Sequence, residues 1–195
     1  ISEVSAGKST SIQKLSTNEM PNDQQAPQTR IDTAAVGREL ARRELNRRGL
    51  TIQSDSSRTP DWHVVCPTGA STPLRVKSAG TGAWQYSADK FLRINFDEAM
   101  GIQTFAGLET LDDPEMPHLF VSIGAPPAAP RYFLLTHREL QEVVRQDYTA
   151  FLQRHRGRRP QQPRSLHVAV WPRQLEAYEN RWSVIGAAGA GAQTK

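Results

Sequence analysis

The chain is poor in cysteine, poor in apolar residues and without long hydrophobic runs. Cys66 is the single cysteine in 195 residues. That excludes an internal disulfide and any Cys-rich zinc module, and it fits a reducing compartment, so a cytoplasmic location is the expectation. Hydrophobic residues make up 37% of the sequence. This is low for a compact domain, so part of the chain is expected to stay outside any core. No segment approaches the roughly 20 apolar residues of a bilayer-spanning helix, and no membrane partner is expected. There is no Walker loop, no dinucleotide glycine motif, no His-Glu-x-x-His and no Gly-x-Ser-x-Gly. P-loop nucleotide hydrolysis, zinc proteolysis and serine-hydrolase chemistry are therefore disfavoured. Neither charge sign dominates: 24 Lys and Arg stand against 20 Asp and Glu, a net +4. Such a balance permits a polyanionic partner without requiring one.

What is present has a clear layout. Residues 1–30 are rich in Ser, Thr, Asn, Gln and Pro and carry almost no periodic apolar pattern. They read as a disordered or vector-derived tail, with a native start at Met20 and no secretory signal. Residues 186–195 alternate Gly and Ala and read as a flexible end. A single domain is expected over 31–185. Its first helix runs from Asp32, an N-cap, to Arg48, with Gly49 as the stop. Strands follow at 50–53, 61–66, 74–78 and 84–86, with 54–60 as a loop. Residues 88–117 fit no single pattern. Further strands are expected at 119–123, 131–135 and 166–171. A long helix over 137–155 opens with a capping box, Thr136 with Glu139, and a short helix follows Pro172. The fold class is α/β (α+β), a mixed central sheet flanked by helices.

The informative segment lies between Gly37 and Tyr86. A helix ends in Arg-Arg-Gly at Gly49. Then come Arg58-Thr59-Pro60-Asp61-Trp62-His63-Val64-Val65, Leu74-Arg75-Val76-Lys77-Ser78 and Trp84-Gln85-Tyr86. This order resembles the core of the PD-(D/E)XK nuclease superfamily. There a helix ends in an Arg-Gly-hydrophobic step, a strand opens with Pro-Asp or Pro-x-x-Asp, and a hairpin leads to Glu-x-Lys or Gln-x-Lys. The resemblance implies a restriction-endonuclease-like core and, for active members, carboxylates that hold Mg²⁺ to activate a water against a phosphodiester. It makes Asp61 and Lys77 the candidate catalytic pair, with Asp61 as the candidate metal ligand.

The sequence departs from that pattern where it matters. Arg75 stands at the Glu or Gln position of Glu-x-Lys. Read as Pro-x-x-Asp, the motif puts His63 at the acid position; read as Pro-Asp, it puts Asp61 there. The two share a strand face, as do Arg75 and Lys77. The helix position of the family Glu falls on Arg38, in a stripe with Ala34, Ala41 and Leu45. Glu39 is instead placed to pair with Arg43 on a solvated face. The expected cluster is Arg38, Asp61 or His63, Arg75 and Lys77. It is too cationic for a comfortable Mg²⁺ site and suited to phosphate. Gln85 is a further nucleic-acid contact candidate. Trp84 and Cys66 are expected in the core.

Charge is segregated along the chain. Asp97, Glu98, Glu109, Asp112, Asp113 and Glu115 form an acidic stretch without the spacing of a calcium loop. Arg154, Arg156, Arg158, Arg159 and Arg164 form a basic loop, in which Arg156, Arg158 and Arg159 could grip phosphates or simply be solvated. The acidic stretch could pair with a basic face of another copy in a homodimer. Three functions stay open. One is a nuclease-like protein that engages DNA or RNA, with cleavage disfavoured by Arg38 and Arg75. Another is a non-catalytic interaction or assembly module that kept only the fold. The third is an active Mg²⁺-dependent endonuclease whose second acid has migrated, as Asp61 with Glu44 or Asp89 would allow.

Overall fold

The computed structural model describes residues 32–55, 62–159 and 161–186. All of them belong to one compact unit. The expected tails lie outside the described residues, except Gly186, which closes a last helical turn. Asp61 and the loop at 56–60 also lie outside them.

The first helix, α1, is Thr33–Arg47. Asp32 caps it, its carboxylate accepting from Ala34 N at 3.0 Å and Ala35 N at 3.2 Å, which satisfies two donors that no helical carbonyl reaches. Its exit is a Schellman turn. Gly49 takes φ 73°, Leu50 N donates to Leu45 O and Gly49 N to Asn46 O, each at 3.0 Å. Leu45 and Leu50 then meet in the core.

Strands β1 (Thr51–Asp55), β2 (Trp62–Val65) and β3 (Ser71–Ala79) form an antiparallel meander. β1 runs two residues past the expected end at Gln53, through an irregularity between Ile52 and Ser54. β3 starts earlier than expected, because Ser71, Thr72 and Pro73 pair with β2 ahead of the apolar run. Next come β4 (Trp84–Ser87), a 3-10 turn at Ala88–Lys90, and a hairpin of β5 (Leu92–Asp97) and β6 (Ile102–Leu108). The stretch that fitted no pattern is thus that turn and hairpin. β7 (Pro117–Ser122), β8 (Arg131–Thr136), helix α2 (His137–Arg154), β9 (His167–Val170) and a 3-10 segment at Pro172–Tyr178 complete the chain.

The main sheet has five strands in the order β1-β2-β3-β7-β8. It is mixed, since β7 is parallel to β3 and every other pair is antiparallel. The domain is α+β with helices on both faces of this sheet. On one face α1 places Ala41 and Leu45 over Trp62, Val64, Leu74, Val76, Leu119, Val121 and Leu134. On the other, α2 with β4 and β9 covers Phe120, Phe133 and Leu135. Every residue of β7 is buried, which is why this strand reads as a continuous apolar run rather than an alternating one. α1 lies so close to β3 that a Cβ at Gly37 would overlap the Ser78 side chain. Ser78 Oγ donates to Thr33 O at 3.0 Å across the same contact.

Two glutamines brace the hairpin. Gln141 of α2 donates to Phe91 O and Glu109 O, both at 2.8 Å. Gln103 of β6, 2% exposed, accepts from Tyr148 Oη and donates to Pro163 O and Ser165 O. Each amide meets backbone groups that would otherwise be buried without partners. Cys66 and Trp84 are buried as expected. Among the described residues no helix is long and apolar enough to cross a membrane.

Candidate anion-binding site

The side chains of β3 alternate as the sequence implies. Leu74 and Val76 enter the core under α1, while Arg75 and Lys77 turn to the opposite face. There β3, β4, the Ala88–Lys90 turn, β7 and the start of α2 surround a cavity of about 840 Å³. Arg75 and Lys77 line it together with Lys90, Tyr86, His118 and His137. Ser87 and His167, a register pair of β4 and β9, stand on its wall as well. Among the described residues, Asp112 is the one carboxylate on that wall. Three permanent cations therefore face a single acid.

Each polar group has a physical setting. Lys77 Nζ donates to Gln85 O at 3.4 Å and sits 3.8 Å from the centre of the Tyr86 ring. This cation–π contact helps to position the ammonium. Arg75 is the register partner of His118 across the parallel β3–β7 pair. His118 is 4% exposed, stacked on Phe120 and 5.0 Å from the His137 ring. Burial, the neighbouring His137, Arg75 and Lys77 drive its pKa down to about 3, so the imidazole is neutral at any ordinary pH. His137, the first residue of α2, is also shifted down, by burial and then by Arg75, against the opposing pull of Asp113 and Asp112. Burial raises the Tyr86 phenol, which is therefore protonated. Arg75 Nε, Tyr86 Oη, His118 Nε2 and His137 Nδ1 are all buried atoms without a hydrogen-bond partner among the described residues. Four such polar atoms beside one basic cavity leave hydrogen-bonding capacity that water or a polar ligand can meet.

The residues singled out in the sequence are distributed unevenly. Arg75, Lys77 and Gln85 share the large cavity. Arg38 does not reach it; with Lys77 and Gln85 it lines a smaller adjoining cavity of about 330 Å³. The sheet-facing residues of α1 are Gly37, Ala41 and Leu45, so Arg38 flanks that stripe and lies over the Trp62 ring at 5.3 Å. His63 is on the same face of the sheet as Arg75 but is exposed and lines neither cavity. Asp61 lies outside the described residues. Glu39 pairs with Arg43 at 2.7 Å on the exposed face. Glu44, another acid considered for a migrated site, is held by Arg47 and Arg48; Asp89 is exposed and lines neither cavity.

The basic loop stands apart from the cavity. Arg159 is spread over Phe151 and Tyr148, 4.6 and 5.3 Å from the ring centres, and donates to His167 O at 2.5 Å. Arg158 is exposed, and Arg156 takes φ 52° beside a separate hollow against β6. The acidic stretch also disperses: Glu98 pairs with Arg164 and Glu115 with Arg138.

Sequence reasoning missed His118, His137, Tyr86 and Lys90. The two histidines sit at the start of a buried strand and the start of a helix, far apart in sequence, and only the parallel β3–β7 pairing brings them under Arg75. The described residues do not fit Mg²⁺. Arg75, Lys77 and Lys90 line the cavity, and among the described residues no three His, Cys, Asp or Glu side chains gather to hold a metal ion. Compared with family models, with curated proteins and with solved structures, the chain finds no match.

Proposed function

We propose that this chain is a PD-(D/E)XK-like domain that grips the phosphodiester backbone of DNA or RNA through the Arg75–Lys77 cavity without cleaving it. The order of elements supports the first half of this reading. A helix ending in Arg48-Gly49-Leu50 precedes an antiparallel meander, and the Arg-x-Lys strand lies at the middle of a mixed sheet. The observation that carries the second half is the register pairing of Arg75 with the neutral His118, whose Nε2 has no hydrogen-bond partner among the described residues, beside Lys77. A guanidinium, an ammonium and neutral imidazoles offer a phosphate several donors, and they offer a divalent cation strong repulsion.

The test is binding of labelled DNA and RNA as salt is raised. Affinity that falls steeply with salt, and falls further in Arg75→Ala and Lys77→Ala, supports the proposal. No binding at low salt would leave the assembly module as the better reading. Incubation with Mg²⁺ or Mn²⁺ and plasmid or single-stranded substrate tests the rest. Cleavage that disappears in Asp61→Ala and Lys77→Ala would show an active nuclease.

A further inference from the structure

The β5–β6 hairpin forms a sheet of its own, and its two outer edges differ. On the β6 side, Gln103 N donates to Gly157 O at 2.8 Å. That N–H points away from β5, so Phe96–Gln103 is a pair of the non-hydrogen-bonded kind. Ile94–Phe105, two residues on, is the next such pair. The main-chain N–H and C=O of Ile94 and Phe96 therefore point off the free side of β5, where no other strand meets them among the described residues. We infer that this edge pairs with the β5 of a second copy of the chain, antiparallel, about a twofold axis at Asn95.

β5 carries none of the devices that keep an edge strand from pairing. Leu92–Asp97 contains no Pro, Gly or Lys. The irregularity of the hairpin falls on β6, where Ala106 has no counterpart, so β5 itself is unbroken. The edges of β6 and β8, by contrast, are met at Gly157 and at Glu179.

The strand also complements itself. With Asn95 on the axis, Arg93 of each copy lies opposite Asp97 of the other, and Ile94 lies opposite Phe96. Ile94 and Phe96 own the outward main-chain groups, so they exchange both hydrogen bonds. Arg93–Asp97 and Asn95–Asn95 then take the closer positions, where opposite charges attract. Arg93, Asn95 and Asp97 are exposed and share one face; Ile94 and Phe96 are half-buried on the other. Arg93 lies over Gly107, and Asp97 accepts from Met100 N at 3.0 Å. Neither has an ion-pair partner among the described residues. Moving the axis by one residue either way sets neither charge opposite its complement. Moving it by two sets Arg93 against Arg93 or Asp97 against Asp97, which repel. The isologous contact is thereby fixed in one register.

The experiment is sedimentation equilibrium of the full chain over a range of concentrations. The mass should rise from one copy to two. Arg93→Asp should weaken the dimer at least about tenfold, because acid then faces acid at both junctions. Asp97→Arg should do the same by setting arginine against arginine. An equal mixture of the two variants should dimerise again, since every junction then joins an Arg to an Asp. A folding defect in either variant could not give that rescue. Asn95→Cys, on the axis, should form an intermolecular disulfide under mild oxidation, and Thr104→Cys, one strand farther from the axis, should not. The twofold pairing is overturned if the chain keeps the mass of one copy at its highest soluble concentration. It is equally overturned if both single variants dimerise like the original chain, or if their mixture does not regain the dimer.

Discussion

Arg75 on β3 and His118 on β7 are register partners across the parallel strand pair at the floor of the cavity. Burial first, then the neighbouring His137 and the Arg75 cation, deprive this imidazole of its proton. His118 is thereby held neutral down to about pH 3. The cavity floor is therefore one fixed charge and one neutral hydrogen-bonding group rather than two cations.

The first prediction is a pH dependence of stability. In the unfolded chain His118 regains an ordinary pKa of about 6.5. Between that value and about 3 the unfolded chain binds a proton that the folded chain refuses. The stability that comes from neutral His118 is complete above about pH 6.5 and is lost as pH falls through this window, with a slope of up to ~1.4 kcal/mol per pH unit. His137 is shifted in the same direction and adds to the slope. The carboxylates lowered by ion pairs, Glu44, Glu142 and Glu179, lose their contribution only below about pH 4.5, so the upper part of the window isolates the histidines. Urea midpoints measured from neutral to mildly acid pH should show the slope, and His118→Gln should reduce it. An unchanged slope in that variant would rule out His118 as its source.

A second prediction separates binding from stability. Lys77 is exposed, and replacing it by Ala should change unfolding free energy by less than about 0.5 kcal/mol. The same change should weaken nucleic-acid binding clearly. Thermal unfolding and anisotropy on one protein sample give both numbers. A large loss of stability would mean that Lys77 serves the fold through its Tyr86 contact.

The third prediction concerns the approach of α1 to β3. Gly37→Ala should gain about 1 kcal/mol of helix propensity and lose more than that to overlap with Ser78. Overpacking of this kind costs typically about 1–3 kcal/mol. Pairing Gly37→Ala with Ser78→Gly should recover the overlap cost, apart from the lost bond to Thr33 O. A double-mutant cycle reads the coupling, and additivity would show that the helix simply moves away.

The start of α2 gives a fourth prediction. Thr136 Oγ1 accepts from Glu139 N, and the Glu139 carboxylate accepts from Thr136 N at 2.8 Å and from Arg181 at 2.8 Å. Thr136→Ala should cost about 1 kcal/mol. Glu139→Gln keeps the reciprocal cap but loses the charge on Arg181, so its cost should be smaller. Chemical denaturation followed by circular dichroism ranks the two; the reverse ranking would put the weight on the ion pair.

The capping box is also where the sequence was most legible. Caps and stops depend on residues within one turn of each other, so Asp32, Gly49, Thr136 and Glu139 announce both long helices. The alternation of Arg75 and Lys77 against Leu74 and Val76 was legible for the same local reason. The β5–β6 hairpin was not. On β6 the buried residue is Gln103 while Phe105 is 38% exposed, so polarity runs against burial and the usual pattern vanishes. Gln103 is tolerable inside only because Tyr148, Pro163 and Ser165 meet its amide. Arg38 shows the limit of a helical stripe: counting placed it facing the sheet, whereas the small residues Gly37 and Ala41 take that role and push Arg38 to the flank. The histidines of the cavity were beyond reach because their meaning arises from a strand pairing, not from a motif.

That pairing has a kinetic corollary. Between β3 and β7 the chain builds β4, a 3-10 turn and a whole hairpin before it returns to close the sheet. Closing such a large loop comes before any reward from the contact, so the β3–β7 junction is expected to form late and to limit the folding rate. The proposed anion site straddles this junction and does not exist until it closes. A phosphate ligand should therefore act as a lock on the finished molecule, slowing unfolding while leaving the rate of folding nearly untouched.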